Sequence, residues 1–139
     1  MGQLQLAPDC AREYETIYIM RPSIDKDAAD GVANRVHDAI KGTSGTVTDV
    51  ELWGRRRLSY QIQRHHRGIY VYLKYLGRGE TVAELERQLK LIDGVIRFQT
   101  IVLRNNVAAS SAEAAEMDLG FDLVDEPDEP ELTLERELG

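Results

Sequence analysis

The sequence is poor in the features that mark exported, disulfide-bonded or membrane-spanning proteins. Its 139 residues fit a single domain. One cysteine, Cys10, excludes an internal disulfide and is consistent with a reducing compartment. No apolar run approaches the roughly 20 residues that a membrane-spanning helix requires. The first twelve residues lack the basic region and apolar core of a signal peptide, so we expect a cytoplasmic protein.

Residue patterns that could carry catalysis or hold a metal ion are also scarce. His65 and His66 are adjacent, but no carboxylate or cysteine near them completes a ligand set. The stretch from Gly42 to Gly45 lacks the lysine and the strand-to-helix context of a phosphate-binding loop. We therefore expect no catalytic residue, no metal site, no cofactor and no small-molecule substrate.

Positive and negative charges are separated along the chain, which the net charge of −7 conceals. Residues 1–104 carry 16 Lys+Arg against 13 Asp+Glu, a balance of +3, and residues 105–139 carry 1 against 11, a balance of −10. Acidic composition with Pro127 and Pro130 predicts a disordered tail at 105–139. The body is thus weakly basic, and only its own charges decide what its surface attracts.

Periodicity and turn residues predict six elements in the order β-α-β-β-α-β. Strands are expected at residues 14–20, 46–62, 68–76 and 95–103, and Gly54 inside the second predicts a bulge or bend. Two helices on one face of a four-stranded antiparallel sheet make a ferredoxin-like, split β-α-β domain of the α+β class. We place it at residues 13–104, after a flexible leader at 1–12.

The two helices are predicted from their apolar faces and their capping residues. Ile24, Ala28, Val32, Val36 and Ile40 recur at four-residue spacing in the first helix, which Asp25 or Ser23 can cap. In the second helix, Thr81 and Glu84 have the spacing of a capping box, with Thr81 at the N-cap.

A stretch without acidic residues runs between Leu52 and Gly79. Guanidinium groups match phosphate oxygens, and each contact releases counterions. The alternative is a solvated hairpin edge on which basic side chains prevent aggregation. Three consecutive arginines repel one another unless an anion is near, which favours nucleic acid. The RNA-binding candidates in this stretch are Arg55, Arg56, Arg57, Arg64 and Arg67.

Aromatic residues on two predicted strands suggest a second surface. Alternation places Tyr18, Tyr70 and Tyr72 opposite the aliphatic residues of their strands. If the aliphatic residues pack on the helices, the tyrosines lie on the open sheet face, where RNA-recognition motifs stack bases. Their register departs from that motif, so we favour packing or protein docking there.

The stretch WGRRRLSYQI carries a resemblance to a known family. With the Tyr14-Glu15 opening strand and the following Arg67-Gly68-Ile69-Tyr70, it resembles the bacterial ribosomal protein S6 family over about residues 12–103. The family's strand motif is a glycine, basic residues, then Leu, Ser or Ala, Tyr, any residue and Ile. The matching positions are Gly54, Arg56, Arg57, Leu58, Ser59, Tyr60 and Ile62.

The resemblance implies a structural constituent of the small ribosomal subunit. It implies binding to the central domain of 16S ribosomal RNA together with ribosomal protein S18 and other small-subunit components. RNA-facing positions of the family match Arg12, Lys90 and Arg97. We add Trp53 and Tyr60 to the three tyrosines as candidates for contact with the partner protein. Ile92 and Ile96 stand where some relatives carry arginine, which predicts fewer RNA contacts there.

Two other functions stay open at this point. One is a stand-alone RNA-recognition module that depends on Tyr70 and Tyr72; the other is a ferredoxin-like enzyme or small-molecule sensor. The tail either screens the body from nonspecific RNA or only aids solubility. Because a body of +3 offers few phosphate contacts, we expect weak RNA binding by the isolated chain.

Overall fold

The computed structural model describes residues 10–108, which form four strands and two helices. The strands make one sheet in the order β2-β3-β1-β4, and all neighbouring strands are antiparallel. The predicted order and the ferredoxin-like fold are confirmed. The elements are β1 (Cys10–Met20), α1 (Lys26–Gly42), β2 (Thr46–Ile62), β3 (His65–Gly77), α2 (Gly79–Leu91) and β4 (Val95–Ala108).

The sheet extends beyond the predicted domain boundaries at both ends. Cys10 is opposite Ala108, and Ala11 is opposite Val107. Residues 10–12, assigned to the leader, and 105–108, assigned to the tail, therefore belong to the sheet, and those boundaries were wrong. Pairing the two strands satisfies backbone groups that either segment alone would leave without partners. The rest of the predicted leader and tail lies outside the described residues.

The first helix is capped as predicted and buries a slightly different face. The carboxylate of Asp25 accepts a hydrogen bond from the Ala28 backbone N–H at 2.7 Å. Ala28 itself is exposed, and Ile24 is buried ahead of the first helical turn. Val32, Val36 and Ile40 are buried as predicted, so only Ala28 in the first turn departs from the predicted face. The buried residues of α1 are Ala29, Val32, Ala33, Val36, Ala39 and Ile40.

The second helix begins earlier than its predicted capping box. Its N-cap is Arg78, whose backbone N–H donates to the Thr81 hydroxyl at 3.1 Å. Glu84 instead accepts two hydrogen bonds from Arg87, at 2.8 and 2.9 Å. Placing Thr81 at the N-cap was therefore wrong. Its side chain is fully buried at the third helical position, where it reaches back to the cap.

The main core lies between the helices and one face of the sheet. Ile69, Val71, Leu73 and Tyr75 of β3 contribute to it, together with the buried faces of α1 and α2. No helix within residues 10–108 has the length and apolar character needed to cross a membrane.

A second, smaller core lies on the opposite face of the sheet. Leu58 of edge strand β2 packs there with Ile19 of β1 and Ile96 of the other edge strand, β4. A contact between the two edge strands requires the end of β2 to bend over this face. The bend follows a bulge between Leu52 and Gly54, where Gly54 has φ of 86°. The predicted bulge at Gly54 is thereby confirmed.

Candidate nucleic-acid interface

The bent end of the β2–β3 hairpin brings the arginine-rich stretch together. Arg55 is opposite Ile69, Arg56 opposite Gly68, and Arg57 opposite Arg67. Regular pairing then stops until Ile62 meets His65. We call the five arginines at this place the hairpin arginines: Arg55, Arg56, Arg57, Arg64 and Arg67.

Backbone carbonyls orient two of the hairpin arginines. The Nε–H of Arg55 donates to the Pro22 carbonyl oxygen at 3.0 Å. The Nε–H of Arg56 donates to the Trp53 carbonyl oxygen at 2.9 Å. Arg57 and Arg64 are exposed, and Arg64 has a left-handed backbone with φ of 70° in the turn. Arg57 and Arg67 are directly opposite each other, a position in which like charges destabilise a strand pair.

The three outlying RNA-binding candidates lie in different places. Arg97 pairs with Ile19 near the start of β4, at the sheet end that also holds the hairpin arginines. Arg12 is opposite Gly77 at the far end of β1. Lys90 is exposed in the last turn of α2, on the helix side of the sheet. The structure therefore groups Arg97 with the hairpin arginines, whereas Arg12 and Lys90 stand apart.

A contact between the edge strands is formed by Arg97 and Tyr60. The Nη1–H of Arg97 donates to the Tyr60 hydroxyl at 2.9 Å. The guanidinium carbon of Arg97 lies 5.9 Å from the centroid of the Tyr60 ring. Tyr60 is nevertheless 56% exposed. The pair is 37 positions apart in sequence, and nothing in the local pattern signals it. Arg97 therefore helps to hold the hairpin in its bent position.

Tyr18 does not lie on the open face, contrary to prediction. Its neighbour across the sheet is Val71, and both belong to the helix-side core. Tyr18 is 1% exposed, and burial raises the pKa of its hydroxyl. Alternation within each strand does not contain the register between strands, which sets odd-numbered positions of β1 against even-numbered positions of β3. The open face therefore receives Ile17 and Ile19.

Tyr70 and Tyr72 lie on the predicted face without forming a free stacking platform. Tyr70 is 0% exposed, because it belongs to the small core under the bent hairpin. Tyr72 stacks on Trp53 with the ring centroids 5.4 Å apart and the planes at 7°. Burial and a hydrogen bond to Glu15 raise the pKa of Tyr72. These two tyrosines therefore do not offer the exposed stacking surface that a stand-alone RNA-recognition module requires.

The open side of the sheet carries acidic and basic side chains at the end away from the hairpin arginines. Glu13 and Glu15 follow each other at alternate positions of β1, and Glu51 is opposite Tyr72. Glu13 accepts hydrogen bonds from Arg104 at 2.9 and 3.1 Å. This contact lowers the pKa of the Glu13 carboxyl. Lys74 is opposite Glu15, so this end of the sheet carries paired charges of both signs, unlike the end with the hairpin arginines.

Residues suited to holding a metal or a cofactor are not gathered in the described part of the chain. Within residues 10–108 no three His, Cys, Asp or Glu side chains are placed to share a metal ion. A groove of about 480 Å³ beside the helices is lined by Asp38, Glu80, Glu84 and Arg87 among others. The hairpin arginines take no part in it.

Comparisons with known proteins show the family to which this chain is similar. The family model of ribosomal protein S6 matches residues 13–102. A small ribosomal subunit protein bS6 from Geobacter sp. (strain M21) is 40% identical over 102 residues, 73% of this chain and 76% of the relative. The one from Pelobacter propionicus is 45% identical over 94 residues, 68% of this chain and 73% of the relative. The crystal structure of 30S ribosomal protein S6 from Thermotoga maritima has a TM-score of 0.63 at 26% identity, covering 67% of this chain and 88% of that one.

Proposed function

The chain belongs to the ribosomal protein S6 family, and from this premise we propose that it binds 16S ribosomal RNA through the hairpin arginines, beside a protein partner. It is a protein of the small ribosomal subunit and not an enzyme, since its relatives are named as ribosomal proteins. Its place is on the ribosome, and we propose that it acts in the cytoplasm.

The clustering of basic side chains at one end of the sheet supports RNA as the ligand. No Asp or Glu lies between Leu52 and Gly79, so the chain places no carboxylate within the stretch that carries these arginines. The backbone carbonyls that hold Arg55 and Arg56 reduce the entropy lost when a phosphate binds. The proposed target is the central domain of 16S ribosomal RNA. Arg12 and Lys90 would contact RNA only at separate places.

The aromatic residues beside the bend support a protein contact there. Trp53, Tyr60 and Tyr72 lie on the open side, and Tyr60 is the most exposed of them. Aromatic side chains are enriched in protein interfaces because they bury a large area at low entropic cost. We propose this surface as the contact for ribosomal protein S18. Tyr18 and Tyr70 are buried within this chain and are not part of it.

The salt dependence of RNA binding tests the role of the hairpin arginines. The variant Arg57→Gln/Arg64→Gln/Arg67→Gln is mixed with S18 and a fragment of the 16S central domain over a series of salt concentrations. The slope of log K against log salt should fall by about 2 to 3, roughly 0.7–0.9 for each lost phosphate contact.

The matched control removes three positive charges from exposed helix positions. It carries Arg35→Gln, Lys41→Gln and Arg87→Gln, so the net charge is the same in both variants. The control should keep the slope of the natural protein. Equal slopes for the two variants would contradict an RNA contact at the hairpin.

Binding to S18 is tested separately, without RNA. Tyr60→Ser should weaken the complex by about tenfold or more, as expected for an aromatic residue near an interface centre. Leu91→Ser is the control, because Leu91 is 60% exposed on the helix side of the molecule. Titration calorimetry of both variants measures the affinity. Equal affinities would place the partner on another surface.

A further inference from the structure

We propose that the acidic segment from Asp125 to Glu131 docks on the hairpin arginines of its own chain and competes there with RNA. The inference rests on the proposed function, because it assigns a competitor to the same site. Of the two roles left open for the tail, such docking corresponds to screening the body from nonspecific RNA.

Charge complementarity identifies the occupant. The segment is DEPDEPE, which has five carboxylates in seven residues and no basic residue. The hairpin arginines are five guanidinium groups at one end of the β2–β3 hairpin, within the stretch 53–78 that has no Asp or Glu. A row of carboxylates offers guanidinium groups the same planar oxygen pairs that phosphates do.

The position of the last described residue determines which acidic residues can reach the hairpin. β4 runs from Val95, opposite Met20, to Ala108, opposite Cys10. Met20 is also opposite Ile69, close to the hairpin arginines, so the chain leaves the sheet at the far end. To return from Ala108 to the hairpin arginines, the tail must cover the length of the 14-residue strand β4, which is about 40 Å at about 3.3 Å per residue.

Covalent geometry then divides the tail into two parts. A chain spans at most about 3.5 Å per residue, whatever its conformation. Asp118 is ten residues beyond Ala108 and reaches at most about 35 Å, which is short of the hairpin. Glu126 to Glu129 lie 18 to 21 residues beyond it and reach about 60 to 70 Å. Only the later acidic residues can therefore make the contact.

Two charge-matched variants of the full chain separate docking from a general effect of net charge. The docking variant is Glu126→Gln/Asp128→Asn/Glu129→Gln, which neutralises the centre of the segment. Its control makes the same chemical changes at positions that cannot reach the hairpin.

The control variant is Glu113→Gln/Glu116→Gln/Asp118→Asn. Both variants raise the net charge from −7 to −4. A difference between them therefore reports the location of the carboxylates and not their number.

Contact is measured without RNA by paramagnetic relaxation. In a Cys10→Ser background, a spin label on Pro130→Cys should broaden the backbone amide signals of Gly68 and Ile69. The docking variant and about 0.5 M salt should remove the broadening, since the Debye length is then only about 4 Å. The control variant should keep it. Absence of broadening, or equal broadening in both variants, would overturn the docking.

Competition is measured with poly(U) as a nonspecific RNA. The docking variant should bind it about threefold or more tightly than the natural chain, because a tethered segment competes at a millimolar effective concentration. The control should gain less than half as much, and equal gains would overturn the competition. If the label reports docking while neither the 16S fragment nor poly(U) binds, the RNA-binding function fails and the docking stands.

Discussion

Replacing Gly68 by alanine should destabilise the protein by about 1–3 kcal/mol, the usual cost of inserting a methyl group into a packed core. An alanine Cβ at this position would collide with the Cγ2 methyl of Ile19. The Gly68 backbone is not in the left-handed region, so alanine is not excluded by its own conformation. Without the collision, alanine would stabilise the folded protein by about 0.4–1 kcal/mol, because it lowers the conformational entropy of the unfolded chain.

The collision is between neighbouring strands, because Gly68 is next to Ile69, which is opposite Met20 of β1. Ile19 is fully buried, and Leu58 of the bent segment belongs to the same small core. The Gly68 position therefore reports on how tightly this small core is packed beneath the bent segment. If the hairpin extended straight from the sheet, Ile19 would be less buried and could yield to a new methyl group at little cost.

A double-mutant cycle isolates this contact. Ile19→Ala should cost about 2–5 kcal/mol by itself, but it removes Cγ2 and makes room for the new methyl group. Gly68→Ala should then cost at least about 1 kcal/mol less in the Ile19→Ala background than in the natural chain. Ile19→Val is the control, because valine keeps a methyl at this branch and should give no relief.

Urea unfolding at a fixed temperature measures the four free energies of unfolding. Each 1 kcal/mol should also lower Tm by about 4–8 °C in a domain of this size. Additivity of Gly68→Ala and Ile19→Ala within about 0.5 kcal/mol would refute the close approach of Gly68 to Ile19.

Three further changes test separate parts of the structure. Because Arg104 lowers the folded pKa of Glu13, that carboxylate stabilises the fold above its unfolded pKa and loses the effect as pH falls. The difference in free energy of unfolding between the natural chain and Glu13→Gln should therefore shrink below about pH 4.5, whereas a constant difference would contradict it. Asp25→Ala should cost about 0.5–2 kcal/mol in thermal unfolding, and Asp25→Asn should keep most of the cap. Gly54→Ala should cost about 1–3 kcal/mol because φ is positive there, and Gly54→Asn should cost less.

Local patterns in the sequence were sufficient for much of the fold. The β-α-β-β-α-β order follows from periodicity and turn residues, since each element displays its own apolar repeat. The bulge at Gly54 and the cap at Asp25 were also predictable, because both depend on the chemistry of one or two neighbouring residues. The start of α2 was not, because burial of Thr81 depends on the packing of the whole helix.

The candidate site was predictable in composition but not in arrangement. The three consecutive residues Arg55, Arg56 and Arg57 indicate a basic surface from the sequence alone. Their grouping with Arg97 could not be foreseen, since β2 and β4 are at opposite edges of the sheet. Arg12 lies at the other end of the sheet, because it is opposite Gly77 near the start of β1, whereas the hairpin arginines are close to Met20 at the end of β1.

The sequence by itself determined the elements, their order and the separation of a basic hairpin from an acidic tail, because these properties depend on residues close together in the chain. Tertiary structure alone decided which face each strand presents to the helices. Alternation sorts the residues within β1 into two sets, but only the pairing of Tyr18 with Val71 shows which set meets the core. It also decided that Tyr70 is covered, because a bend in β2 places Leu58 over the open face. Both outcomes depend on contacts between strands, which a pattern along a single strand does not contain.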